Sequence, residues 1–255
     1  MEKEDFADCI ALPLVAKGQV QGVLEIFSLE SLLDRSNDWR DFLEMIAGQA
    51  AVAIDNAEMF HGMERANRQL IEAYDSTIAG WAHALDLKDN YTADHSQTVT
   101  EMSLRIARKM GMEEEQLAHV RRGALLHDIG KMAIPDSILL KKKKLTEKEW
   151  KVIKEHPDHA FRLLSEIEYL QPAIAIPYCH HEKWDGSGYP RGLKGKQIPL
   201  AARIFAVVDV WDALTSDRPY RAAWDSEDAL KYIRQQGGSH FDPQVVEMFF
   251  REVKR

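Results

Sequence analysis

Cysteine is nearly absent from this chain of 255 residues: Cys9 and Cys179 are the only two, far apart in sequence. That excludes a disulfide framework as the source of stability and leaves reduced thiols. Long apolar runs are missing too, since none approaches the roughly 20 residues that a membrane-spanning helix needs. The opening Met1-Glu2-Lys3-Glu4-Asp5 is too acidic for a secretory signal, so the expected location is the cytoplasm. Nor is there a positive excess: 33 Lys and Arg against 41 Asp and Glu leave a formal net charge of −8. Nonspecific affinity for nucleic acid comes from clustered cations that neutralise phosphates, so DNA and RNA polymers are excluded as general partners. A small anionic substrate stays open, because bound metal ions reverse the local field. What the chain does have is a 45% hydrophobic composition and enough length for one large core plus a smaller piece.

Residues 8 to 15 and 19 to 28 are two short apolar, β-prone runs broken at Lys17-Gly18, the pattern of a hairpin. A two-stranded hairpin is not stable alone. A helical pattern follows through Ala50, Ala53, Ile54 and Ala57 to Phe60, and the stretch from Leu12 to Phe60 resembles the last strands and closing helix of a GAF sensor domain without its N-terminal half. From Ile46 a seven-residue spacing runs through Ala53, Phe60, Asn67, Tyr74 and Trp81. A second line runs through Ala50, Ala57, Glu64, Ile71 and Ile78. This imperfect coiled-coil seam predicts a parallel homodimer, with Ala53, Phe60, Ile71, Tyr74 and Ile78 between the two helices; the alternative is an amphipathic helix packed on its own domain. The expected division is a GAF-like piece over 1–60, a helical connector over 61–85 and a catalytic domain over 86–255.

Beyond the connector nearly every segment has helical periodicity, with breaks at Gly111, Pro135, Pro157, Pro172, Gly186 to Pro190 and Gly237-Gly238, so the fold class is mainly α. Ile204 to Val208 is apolar on all sides, which predicts a central helix and a buried Asp209. A buried carboxylate needs a cationic or hydrogen-bonding partner, and a metal is the natural candidate.

Two stretches carry the chemistry: Leu125-Leu126-His127-Asp128-Ile129-Gly130-Lys131, and His180-His181 leading into Asp185-Gly186-Ser187-Gly188-Tyr189-Pro190. Either dyad alone is a weak signal; jointly they are specific. Together they resemble the HD-GYP family, metal-dependent hydrolases of the bacterial messenger cyclic di-GMP, over residues 75 to 250. The resemblance implies an all-helical catalytic domain with two divalent metal ions. It places Asp128 as the carboxylate bridging them, His95, His127 and Asp209 completing one site, and His156, His180 and His181 serving the other. Iron or manganese suits this mixed N/O donor set, and zinc is compatible with it. His61, His83, His119, His159 and His240 match no ligand position and are expected to be solvated.

Lys131, three residues after Asp128, looks like the family's phosphate-contacting lysine and shares the catalytic role with Asp128. In Asp209-Val210-Trp211-Asp212-Ala213-Leu214-Thr215-Ser216-Asp217-Arg218-Pro219-Tyr220-Arg221 the resemblance assigns Arg218 and Arg221 to the phosphates or guanine of the substrate. Their alternative is pairing with Asp212 or Asp217. Gly186 and Gly188 would let backbone approach the ligand, and Tyr189 would stack or hydrogen-bond at the rim. Two departures stand out. Some relatives carry Glu four residues before the histidine corresponding to His95, a ligand for a third metal, whereas this chain has Tyr91, which favours two metals. Lys141 to Lys144 replace a Pro-Gly loop and are expected to be a solvated surface. The expected activity is hydrolysis of cyclic di-GMP to pGpG, and onward to GMP where a third metal allows. Partners would be the nucleotide, a second copy and signalling proteins. The rivals are an HD hydrolase of another cyclic dinucleotide or nucleotide, and a catalytically silent module that binds nucleotide or protein.

Overall fold

The computed structural model describes residues 6–32, 35–89, 95–217 and 222–253. The chain divides into two compact units, Met1–Ala73 and Tyr74–Arg255. In the first, β1 (Asp8–Ala16) and β2 (Gln19–Ser28) pair antiparallel, with an irregularity between Leu14 and Val15. Lys17 and Gly18 join them at φ 51° and 78°. Two successive positive φ values make a type I′ turn, whose twist matches that of the strands, and glycine takes the second at little cost. Leu14 and Ala16 bury their side chains against Ala47 and Ala51 of α1 (Asn37–Asp89). Lys17 pairs with Asp55 at 2.8 Å on the same helix.

α1 runs unbroken for 53 residues, so the connector expected over 61–85 is part of one helix. Phe60, Asn67 and Tyr74 of the predicted seam are exposed. Ile78 is not: it is 3% exposed and packs with Leu126, Ile129 and Leu164 of its own unit, as an apolar side chain does when a core lies within reach. Ile78 therefore leaves the seam.

The second unit continues with α2 (His95–Lys109), α3 (Glu114–Leu125), a 3₁₀ turn (Ile129–Ala133), α4 (Asp136–Leu139), α5 (Glu147–Ile153) and α6 (His156–Ser165). A 3₁₀ segment (Glu168–Ala173), α7 (Ala175–Cys179), a short 3₁₀ turn (Gly195–Gln197), α8 (Leu200–Thr215), α9 (Ser226–Gln235) and α10 (Pro243–Val253) complete it. As its apolar run predicts, α8 is central: Ile204, Phe205 and Val207 are fully buried among Val99, Ile106, Leu117, Ile233 and Phe249. Each such burial contributes about 1.5–3 kcal/mol.

Two details position the site. Arg122 on α3 donates to Asp75 on α1 at 2.7 and 3.2 Å and lies 4.3 Å from the Tyr169 ring, which fixes the helix that ends just before His127. Gly130 lets the 3₁₀ turn lie against α6: a Cβ there would stand 1.9 Å from the His156 carbonyl oxygen and 2.7 Å from the Ala160 nitrogen.

Candidate metal centre

Five segments bring one donor group each, or two, to a common place. His95 opens α2; His127 and Asp128 occupy the turn that closes α3; His156 opens α6; His180 and His181 follow the end of α7; Asp209 projects from α8. The His-Asp dyad thus lies in a turn rather than within a helix, because α3 stops at Leu125 and the chain tightens into the 3₁₀ segment. Donor atoms of Asp128, His156, His180 and His181 lie within 4.8 Å of one another, and those of His95, His127 and Asp209 do likewise.

The imidazoles are aimed by the backbone. Nδ1 of His127, His156 and His180 meets the carbonyl oxygens of Ala124, Ile153 and Ile176 at 2.9, 2.8 and 3.1 Å. A carbonyl can only accept, so Nδ1 carries the hydrogen, which at His156 and His180 leaves Nε2 its lone pair, the arrangement that prepares histidine for a metal. These Nε2 atoms converge on Asp128: His127 lies 3.2 Å from Oδ2, and His156 and His180 lie 3.4 and 3.8 Å from Oδ1. One carboxylate therefore faces both groups, one oxygen toward each. His95 is aimed by a side chain, its Nδ1 meeting Asp212 Oδ2 at 2.6 Å while Nε2 faces Asp209 Oδ1 at 3.7 Å.

Electrostatics supports this donor set. Burial, then the neighbouring histidines, pushes His180 and His181 well below the usual imidazole range, and burial lowers His156, so lone pairs are available. Burial opposes ionisation of Asp128, but Lys131 and His127 outweigh it and hold the carboxyl well below its ordinary value. His127 differs: burial opposes the charge, yet Asp128 raises it to about 9, so its Nε2 holds a proton in the place that a bound cation would take. Five imidazoles and two carboxylates form a mixed N/O set that fits borderline divalent ions, so the residues present fit a metal pair.

Several expectations need correction. Asp209 is partly open, its side chain 22% exposed, because the buried run Ile204 to Val208 of α8 ends just before it. Asp212 Oδ2 is taken up by His95 Nδ1, a contact that nothing in the sequence marks. His119 and His240 are partly buried, and burial lowers His240 to about 4. At Gly188 the chain's own packing already requires glycine, since a Cβ would stand 2.3 Å from the Lys183 nitrogen. Tyr91, Arg218 and Arg221 lie outside the described residues. Lys131 places Nζ 2.6 Å from Asp128 Oδ2, and Tyr189 stacks on His181 with ring centroids 4.7 Å apart.

Three acidic residues escaped the sequence reading besides Asp212's true role. Buried Glu182 accepts from the backbone nitrogens of Arg191 and Leu193 at 2.8 and 2.9 Å, which ties down the loop bearing Tyr189. Asp86 accepts from Ser96 Oγ at 2.8 Å beside His95. Asp75 anchors Arg122. Only adjacency to His181 could have drawn attention to Glu182; nothing local marks Asp86 or Asp75.

The model of the HD domain family matches residues 80–245. Over 177 residues the chain is 44% identical to the cyclic di-GMP phosphodiesterase response regulator RpfG of Xanthomonas campestris, covering 69% of this chain and 47% of that protein. It is 44% identical over 171 residues to a cyclic di-GMP phosphodiesterase of Thermotoga maritima, covering 66% of this chain and 46% of the other. With a 3'3'-cGAMP-specific phosphodiesterase of Vibrio cholerae it shares 34% over 211 residues, 82% of this chain and 39% of that one. The chain thus spans less than half the length of these curated relatives. Among solved structures, an HDG"Y"P protein from Bdellovibrio bacteriovorus has the same fold, at a TM-score of 0.52 and 22% identity over 63% of this chain and 52% of that one.

Proposed function

This chain belongs to the HD domain family, and we propose that it is a metal-dependent phosphodiesterase that opens cyclic di-GMP to linear pGpG. The observation that carries this reading is the convergence of His127, His156 and His180 on the two oxygens of Asp128, within two adjoining clusters that together hold seven donor side chains. Two divalent ions there, iron or manganese by preference, would supply Lewis acidity toward a phosphodiester and lower the pKa of water. His95, His127 and Asp209 would hold one, His156, His180 and His181 the other, and Asp128 both. The Lys131 ammonium, beside Asp128, would donate a hydrogen bond to a non-bridging phosphate oxygen. Burial raises the Tyr189 phenol above its ordinary range, so it stays protonated as a donor at the rim. Arg218 and Arg221 would take the phosphate or guanine of the nucleotide being cleaved.

A second reading, hydrolysis of 3'3'-cGAMP, is favoured by the relative of that specificity in Vibrio cholerae. Turnover of both dinucleotides by anaerobically reconstituted protein, with products separated by chromatography, tests the two together. The proposal expects the higher kcat/KM with cyclic di-GMP and pGpG as product. Preference for cGAMP would transfer the reading, and no cleavage of either by metal-loaded protein would leave a silent binding module.

The first unit would be a GAF-like remnant, and the exposed face of α1 would pair with a second copy. Ala53, Phe60, Ile71 and Tyr74 of the seam, with Asn67, are all exposed. Ala53→Cys and Phe60→Cys, each on a background without Cys9 and Cys179, should crosslink to their own copies under mild oxidation. A monomer by light scattering at micromolar concentration would remove the pairing.

A further inference from the structure

α5 and its C-cap residue Lys154 present Glu147, Trp150, Lys151 and Lys154 at i, i+3, i+4 and i+7, so all four lie on one face. That face lines a surface pocket of about 550 Å³. Its direction is set by Lys154, whose Nζ stands 5.2 Å from the centre of the Tyr189 ring. Tyr189 in turn stacks on His181. Lys154, at one end of the pocket, is thus linked to His181 of the metal centre through the Tyr189 ring, and it precedes His156 by only two residues. Trp150 is half exposed and takes no part in the apolar clusters of the core.

An indole left in water beside two ammonium groups is an expensive surface for folding but a ready one for a nucleotide. A base stacks on an aromatic face whatever its edge pattern, and lysines placed along the same groove attract its phosphate. Glu147 sits in the first turn of α5, about 10 Å of helix from Lys154, so the anionic part of a ligand is directed to the Lys151–Lys154 end. A cyclic dinucleotide has two bases and two phosphates, and only one phosphate can occupy the metal centre at a time. We propose that Trp150, Lys151 and Lys154 form a subsite for the base and phosphate of the nucleotide that is not being cleaved, with Trp150 as the stacking platform. The inference rests on the cyclic di-GMP reading above.

The test compares the metal-loaded protein with its Trp150→Ala and Trp150→Phe variants on two substrates: cyclic di-GMP, and methyl 4-nitrophenyl phosphate, which has no second nucleotide. The quantity read is kcat/KM for the dinucleotide divided by that for the small diester. Trp150→Ala should lower this ratio roughly ten-fold, mainly through KM, and Trp150→Phe should restore most of it. Removing both lysines, Lys151→Ala with Lys154→Ala, should raise KM for cyclic di-GMP and flatten its dependence on salt. An unchanged ratio in Trp150→Ala, or equal losses on both substrates, would overturn the subsite while leaving the proposed activity standing. Wild-type protein that cleaves the small diester but not cyclic di-GMP would overturn the substrate reading itself, and the subsite with it.

Discussion

The Asp212 carboxylate meets Nδ1 of His95 at 2.6 Å, while the other nitrogen of the ring faces Asp209 Oδ1 at 3.7 Å. One α8 carboxylate thus orients the imidazole that shares a cluster with another carboxylate one helical turn earlier. Such outer partners fix the tautomer and basicity of a ligand, and their loss typically costs 10–100-fold in metal affinity. Asp212→Ala should weaken metal binding by about that factor, read by competition with a chromophoric chelator. Asp212→Asn, which keeps an acceptor oxygen, should lose less. Equal, wild-type affinity in both variants would remove Asp212 from any role at the centre.

Gly130 and His156 make a closer test of packing. A Cβ at Gly130 would fall 1.9 Å from the His156 carbonyl oxygen, a backbone atom that cannot move aside by a rotamer change. Gly130→Ala should therefore destabilise the fold by about 1–3 kcal/mol or more and displace the turn that carries Asp128. Urea unfolding with metal analysis of the same sample checks both. Wild-type stability would show that the 3₁₀ turn can retreat from α6.

Much of this was legible in sequence for definite reasons. Lys17-Gly18 marked the hairpin because a type I′ turn demands positive φ, and Ile204 to Val208 marked the central helix because no face of it is polar. The donor histidines were legible by resemblance, since His127-Asp128 and His180-His181 stand in a specific order with the glycine-rich turn. Other features depend on distant pairings that leave no local trace. Asp86 meets Ser96 and Asp75 meets Arg122 across long stretches of chain, and either acid could equally have been solvated. Ile78 satisfied the seven-residue seam and the helical core equally well; only the packing of Leu126 and Ile129 against it decided between them. The apolar run before Asp209 predicts its burial, but the buried stretch of α8 ends at Val208.

His240 gives the fold a pH dependence that is separate from the candidate metal centre. Burial first, then Lys183, lowers it to about 4 from an ordinary value of 6.5. Between these values the unfolded chain binds a proton that the folded chain does not. The contribution to stability is therefore complete above pH 6.5 and declines as pH falls toward 4, by on the order of 3 kcal/mol. In His240→Gln that component should vanish, so urea midpoints of the variant should fall less than wild type across this window. Parallel curves would contradict the buried, neutral histidine.

Asp128 turns one oxygen toward His127 and the other toward His156 and His180, which makes it the hinge of the whole account. Anomalous diffraction from crystals of the anaerobically metal-reconstituted protein tests that role most directly. The account predicts two peaks per chain, about 3.5–4 Å apart, one beside His95, His127 and Asp209 and the other beside His156, His180 and His181, with Asp128 between them. A single peak, an empty centre, or a third well-occupied ion coordinated near Tyr91 would contradict it.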